Sequence, residues 1–396
     1  MSADEFLKVQ RDLEDAHRPR RSHPKGWEPG VDTARGSLTY VSDNNAPPGD
    51  WSAIIRELGL DPEAWTVDES QPVQVRTWDS GDRRMYYYRA TVLPAAEATT
   101  DPDIDALIRE VKRRKRGKAP ADPHATRALV VCLADWQVGK SDHGGVDAVV
   151  DRLLALKDAV PTRVRELARS GRPISHLYVI GMGDLLEGCD GHYAQQAFTV
   201  ELTARQQTTL VRRMLVALLS EWSKLPVGIV VGCVPGNHGE NRKNGKSFTT
   251  FEDNRDLEVF DQAQEILAQN PDAFGHISWV IPDGDMTITL DVCGTVVAFA
   301  HGHQAKYGGG GIPLLKLRSW WQNKMRSMHP VGDAAVLVFG HYHHLQVLQD
   351  GPRTLMGCPS NDGGSRWFEE MGGPTTACGT LTFVADADGW SDLAVL

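Results

Sequence analysis

Five runs of apolar, largely β-branched residues in this chain end at a glycine or a turn, and each is followed at once by a side chain able to hold a metal. Residues 128–133 lead to Asp135 and Gln137. Residues 176–183 lead to Asp184. The run 230–234 breaks at Pro235-Gly236 and delivers Asn237 and His238. Residues 296–300 lead to His301 and His303, and residues 336–340 to His341, His343 and His344. Short runs of this kind read as buried parallel strands. In an open α/β sheet, functional groups collect just past the carboxyl ends of such strands. One aspartate after a strand is ordinarily a helix cap, and one histidine near a core is ordinarily just hydrogen-bonded. Five such ends in succession point to a single shared site.

Between these runs the apolar spacing turns helical, at 146–170, 202–223, 256–269 and 314–325, whereas strands crowd the later part at 287–290, 295–299, 335–339 and 345–348. Alternating strands and helices argue for an α/β fold, and the late strands for a second sheet. The catalytic domain is expected over 128–396. Its candidate ligands are carboxylate, amide and imidazole without thiolate, a set suited to Mn²⁺, Fe²⁺ or Zn²⁺ rather than Ca²⁺ or a structural zinc. Asp135, Gln137, Asp184, Asn237, His301, His341 and His343 exceed what one tetrahedral ion takes, so two divalent metals are expected, about 3.5–4 Å apart as in phosphoryl-transfer sites.

The preceding residues divide into three parts. Residues 1–25 read as a flexible basic tail, ending in Arg18-Pro19-Arg20-Arg21. Residues 26–94 read as a small α+β domain, with a helix at 51–59 and a hairpin of strands at 73–78 and 85–92. Tyr86, Tyr88 and Arg84 are its candidate stacking platform for single-stranded nucleic acid, against the plainer reading of a small sheet's core. Residues 95–127 read as a basic linker with a helix over 103–118, carrying Lys112-Arg113-Arg114-Lys115-Arg116-Gly117-Lys118. Such a run either contacts a nucleic-acid backbone or is simply solvated.

The net charge of -10 gives no general affinity for nucleic acid, so any such contact must be local. No apolar run is long enough to span a membrane and no signal pattern opens the chain, so no membrane partner and a cytoplasmic location are expected. The six cysteines form no CxxC pair, which argues against a zinc knuckle or a disulfide framework; Cys132, Cys233 and Cys293 read as buried thiols.

The order Asp135-x-Gln137, Gly183-Asp184, Gly236-Asn237-His238, His301 and Gly340-His341-Tyr342-His343 resembles the calcineurin-like metallophosphoesterase superfamily. That family's pattern is Asp-x-His, Gly-Asp, Gly-Asn-His, His and Gly-His-x-His. The resemblance covers residues 128–343 and implies two facing mixed β-sheets flanked by helices, a four-layer sandwich, with two divalent metals, Mn²⁺ foremost, at the strand ends. It implies that Asp184 bridges the metals, that Asp135, the Gln137 position and His343 hold the first, and that Asn237, His301 and His341 hold the second. His238 would protonate the leaving-group oxygen while a metal-bridging hydroxide attacks phosphorus in line. Two positions depart from the pattern. Gln137 replaces a histidine with a weaker carbonyl donor, so the first site is expected to be looser or biased to Mn²⁺ or Mg²⁺. Gly239 stands where many members carry an acid, leaving Glu240 as the candidate to orient His238.

Around the motifs, Arg242, Lys243 and Lys246 are candidate phosphate contacts, and His303 and His344 candidate substrate-facing groups. Gly308–Gly311 is a candidate lid, and 361–367 a turn near the site mouth. The extra N-terminal domain, the basic connector and an insert at 188–207 with Tyr193, Gln195, Gln196 and Arg205 lean towards nucleic acid. The layout looks like the phage and DNA-repair-nuclease branch of the superfamily, in which the nuclease domain comes first. The expectation is therefore a DNA phosphodiesterase. The alternatives are a phosphatase or phosphodiesterase for a small molecule or phosphoprotein, and a non-catalytic metal-binding scaffold. A homodimer and an ATPase are candidate partners besides nucleic acid.

Overall fold

The computed structural model describes residues 23–94, 104–117 and 126–396, with breaks at 25, 34, 49, 63, 69–72, 81–82, 116, 190, 194–195, 244, 307–312, 365–368 and 371–376. Most of the basic tail, much of the 95–127 connector, Gln195, the Gly308–Gly311 loop and residues 365–367 lie outside the described residues. The chain divides into two compact units, Met1–Asp101 and Pro102–Leu396.

In the first unit, β1 (Gly30–Asp32), β2 (Ser37–Ser42), β5 (Arg83–Pro94) and β3 (Trp65–Val67) are hydrogen-bonded in that order, and β4 (Gln74–Ser80) also pairs β5. One sheet face buries Leu38, Ala90 and Val92 against Ile54 and Ile55 of helix α1 (Ser52–Glu57). Just before the N-cap Trp51, the Asp50 carboxylate accepts the Ser52 N–H at 2.8 Å. Tyr88 lies on the core side, fully buried, and its hydroxyl donates to the Asn44 carbonyl; Arg84 pairs with Asp79 at 3.3 Å. The Tyr86–Tyr88–Arg84 platform therefore does not form. Period-two alternation sends Tyr87, not its neighbours, to the opposite face.

In the second unit, β6 (Ala128–Leu133), β7 (His176–Gly181), β8 (Gly228–Cys233) and β11 (Ile277–Val280) run parallel, joined on the far side by antiparallel β17 (Leu381–Asp386) and β18 (Gly389–Val395), while β9 (Arg242–Lys243) and β10 (Lys246–Ser247) form a separate short antiparallel pair. A second mixed sheet orders β12 (Thr287–Val292), β13 (Thr295–Ala300), β14 (Val336–Phe339), β16 (Arg353–Gly357) and β15 (Gln346–Asp350). Alternation within β6 explains the layers. Ala128, Val130 and Cys132 meet Val297, Phe299, Val336 and Val338 of the facing sheet. Leu129, Val131 and Leu133 face a core shared with the helices Gly145–Arg169, Ala204–Trp222 and Arg255–Leu267. The outer side of the second sheet packs Ala298, Leu337 and Leu355 on Leu317 and Trp321 of the helix Pro313–Arg326. Helix, sheet, sheet, helix is the four-layer α/β sandwich expected.

The helix expected over 103–118 spans Ile104–Arg113 and does not behave as a linker. Val111 is buried in the core beside Arg255–Leu267, and Asn270 donates to the carbonyls of Val111 (2.8 Å) and Arg114 (3.1 Å), satisfying the helix end. Lys112 and Arg113 stay exposed, but on a docked element. Cys293 is only half-buried, unlike Cys132 and Cys233. Among the described residues, no helix is long and apolar enough to cross a membrane.

Candidate active site

β6, β7 and β8 are parallel, so Asp135, Asp184 and Asn237 leave one edge of the first sheet. β13 and β14 are parallel too, so His301 and His341 leave one edge of the second. Hydrogen bonds join the two edges. The His341 N–H donates to both oxygens of Asp135 at 3.1 Å, and His301 Nε2 lies 2.9 Å from Asp184 Oδ2. All five expected strand ends thus meet at one place.

The backbone there is strained. Asp135, Gln137, Asp184, His341 and His343 all have positive φ, between 42° and 68°. For non-glycine residues this costs on the order of 1 kcal/mol or more each, and such strain clusters at functional sites. Glycines permit the close approach. A Cβ on Gly183 would sit 2.7 Å from the Gly236 backbone, and one on Gly236 would sit 2.2 Å from Asp184 N and Oδ1. Asp256, fully buried at the start of the helix Arg255–Leu267, ties these loops together. Its carboxylate accepts from the N–H groups of Asp184 (2.9 Å), Leu185 (3.0 Å) and Gly236 (3.0 Å). Burial, then the charge of Asp184, pushes its pKa up to about 6.

Asp184, His301 and His341 offer ligand atoms within 4.8 Å of one another. Asn237 Oδ1 lies 3.1 Å from His301 Nε2 and joins them. His301 Nδ1 donates to the Met182 carbonyl at 2.7 Å, which leaves Nε2 aimed at Asp184. A backbone acceptor behind the ring is the usual way a metal-binding imidazole is oriented. Burial opposes charge on Asp184, yet His301, His238 and His341 hold its carboxyl well below the usual range. Burial works against the His301 cation, but Asp184 lifts its pKa to about 9. Burial and the His301 charge push His341 down to about 3, leaving a neutral imidazole. A buried carboxylate, an amide oxygen and two imidazoles converging in one place are a donor set that fits a divalent metal, which would take the place of the proton that His301 shares with Asp184.

The second set of candidates is arranged differently. His343 Nε2 lies 3.4 Å from Asp135 Oδ1, and its Nδ1 3.6 Å from Asp362. Burial would lower His343, but Asp135 and Asp362 raise it to about 10. Gln137 Oε1 accepts from buried Lys140 Nζ at 3.0 Å, and Lys140 also reaches Asp362 Oδ2 at 2.5 Å. Because an ammonium only donates, it fixes the Gln137 amide, whose nitrogen then points to His238 Nε2 at 3.4 Å. Among the described residues, no second group of three His, Cys, Asp or Glu side chains converges as closely as Asp184, His301 and His341.

His238 is held by Glu187, not Glu240. Its Nδ1 donates to the Glu187 carbonyl at 2.7 Å, with the Glu187 carboxylate 3.5 Å away, and its N–H donates to Asp184 at 2.7 Å. Glu240 instead pairs with Arg242 through Nε (3.0 Å) and Nη2 (2.9 Å), which commits both expected site residues to each other. His192 stacks on His238 with ring centroids 4.2 Å apart and planes 3° from parallel. His303 is buried beside His301, and among the described residues neither ring nitrogen has a hydrogen-bond partner. His344 lies beside His343; burial and that charge lower its pKa. Glu187, His192, Lys140, Asp256 and Asp362 were not singled out from the sequence. His192 lies within the insert noticed there, and Asp362 within the polar turn, but no spacing marks either as part of the site.

No protein-family model matches the chain, and no curated protein sequence matches it. Solved structures with some likeness include a single mutant of Vps29 from Entamoeba histolytica, 12% identical over 68% of this chain and 99% of that one, with a TM-score of 0.29. A novel archaeal phosphodiesterase is 11% identical over 68% of this chain and 99% of that one, with a TM-score of 0.28. A conserved predicted phosphoesterase from Streptococcus pneumoniae is 11% identical over 66% of this chain and 84% of that one, also at 0.28. At such TM-scores these likenesses carry no functional argument, which rests on the chain's own residues.

Proposed function

We propose that the second unit is a metal-dependent phosphoester hydrolase of the calcineurin-like type and that its substrate is DNA, cleaved at the phosphodiester. The observation that carries the hydrolase reading is the convergence of Asp184, Asn237, His301 and His341 at strand ends, with His238 held beside them. These four side chains would hold a divalent ion, Mn²⁺ being the first candidate and Fe²⁺, Zn²⁺ or Mg²⁺ the others. Such an ion supplies positive charge that polarises a phosphoryl oxygen and makes a water nucleophile accessible near neutral pH. His238 supplies the proton. With Nδ1 tied to the Glu187 carbonyl, Nε2 is the nitrogen that would carry the proton to a leaving oxygen, which would displace the Gln137 amide 3.4 Å from it. His303, whose ring nitrogens make no hydrogen bond among the described residues and whose Nε2 lies 3.8 Å from Glu240, is a further candidate to contact substrate.

The DNA reading rests on the first unit. Trp27 packs on the exposed sheet face, with its ring 5.4 Å from Tyr87 and 5.6 Å from Trp78, and the Arg76 guanidinium lies 5.8 Å above it. Gly26, Trp27, Gln74, Arg76, Tyr87 and Arg89 line a recess of about 100 Å³ there. Arg76 and Arg89 are exposed, and among the described residues neither pairs with a carboxylate. Aromatic rings beside exposed guanidinium groups suit stacked bases next to phosphates.

The experiment is a comparison, with Mn²⁺ added, of duplex DNA, single-stranded DNA and bis-p-nitrophenyl phosphate. Hydrolysis of DNA is expected. Turnover of only the small diester would keep the hydrolase and remove the DNA reading. No turnover of any of the three, by protein shown to bind metal, would favour the non-catalytic scaffold.

A further inference from the structure

We infer that Lys140 occupies, in charge and in bonding, the place of a second metal ion, so that this chain binds one divalent cation tightly and not two. The inference rests on the hydrolase reading above and concerns how that same site is completed.

Gln137 holds the position at which a second ion would need a donor. Its only metal-competent atom is the carbonyl oxygen. That oxygen already accepts from Lys140 Nζ at 3.0 Å, and its amide nitrogen faces His238. An ion bound through this oxygen would lie within one ligand bond and one hydrogen bond of a buried ammonium. Lys140 is 8% exposed, so little water is present to screen the repulsion. The ammonium is also firmly anchored. Asp362, 2% exposed, takes it at 2.5 Å and is itself held by Ser360 Oγ (2.6 Å) and the Gly364 N–H (3.0 Å). Rotating Lys140 away would break its buried ion pair with Asp362.

Asp135 and Asp362 flank His343 on this side, and Lys140 pairs with Asp362. A lysine is a compact, strongly hydrated point charge on a flexible stem, able to place one positive charge where a metal would place two. Gln137 and Lys140 thus act as a pair: the amide offers no imidazole donor, and its carbonyl oxygen is taken by the ammonium. On the other side, the side chains of Asp184, Asn237, His301 and His341 converge. Lys140 is a positioning residue that holds Gln137, and through it the Nε2 side of His238.

The test is the metal content of the full chain after Mn²⁺ loading and gel filtration, read by elemental analysis, with electron paramagnetic resonance on the same sample. One ion per chain, with the hyperfine pattern of an isolated Mn²⁺, is expected. The double variant Gln137→His/Lys140→Met, which restores an imidazole donor and removes the ammonium, is expected to take up a second ion and to show spin coupling. Two coupled ions in the unaltered chain would overturn the inference and leave the hydrolase reading standing. No retained ion would overturn both. Because the first measurement uses the unaltered protein, misfolding of the variant does not blunt it.

Discussion

The proposed proton donor, His238, can be tested at the residue scale, because the effect of losing it depends on the leaving group. An alkoxide leaving DNA needs a proton, whereas p-nitrophenolate leaves without one. His238→Asn is expected to slow DNA cleavage about 10²–10⁴-fold while slowing bis-p-nitrophenyl phosphate far less. Steady-state rates on both substrates check this, and equal losses would argue against a proton-donating role. Asp256 acts at the same scale without touching substrate. Replacing it by alanine strands three buried N–H groups, and a loss of about 2–4 kcal/mol in denaturant unfolding is expected. Residue types and spacing made the convergent cluster legible, because polar side chains at successive strand ends are brought to one edge. The partners of His238 were not legible. Glu240 was nearer in sequence to the role, but the local turn sends it to Arg242, and Glu187 arrives from another strand end. Lys140 escaped notice for the same reason, since its anchor Asp362 lies more than two hundred residues away.

At the level of elements, the strands were readable because β-branched runs bounded by glycine have few alternatives. Both faces of β6 are buried, so its sequence does not alternate polar with apolar. Helix ends moved by one to three residues. The larger difference was Ile104–Arg113, where a strongly basic sequence concealed Val111, Leu107 and Ile108 against the core. The junction of loops at Gly183 and Gly236 is the element-level weak point. Gly236→Ala introduces a Cβ 2.2 Å from the Asp184 backbone and side chain, and is expected to cost about 1–3 kcal/mol or more. It should also weaken Mn²⁺ binding, since Asp184 must shift. Thermal unfolding with and without Mn²⁺ checks both: the metal-induced rise in Tm seen for the unaltered chain should shrink or vanish.

For the whole molecule, the two units carry separate parts of the account and are tested separately. The first unit's exposed face predicts binding of single-stranded oligonucleotides that weakens with salt. Trp27→Ala is expected to cost about 1–3 kcal/mol of that binding by loss of one stacked base. Arg76→Ala with Arg89→Ala should reduce the magnitude of the salt slope by about 1.4, from roughly 0.7 per phosphate on a single strand. Fluorescence anisotropy across a salt series reads both, and an unchanged slope would remove this face from the binding site. The central claim concerns the second unit: the Asp184-centred cluster is a metal-dependent hydrolytic site. The most direct measurement is cleavage of a single-stranded oligonucleotide across a Mn²⁺ titration, for the full chain and for His301→Ala. The account predicts cleavage that rises with Mn²⁺, stops in excess chelator and is abolished by the substitution. Cleavage at the unaltered rate by His301→Ala, or in chelator, would contradict it.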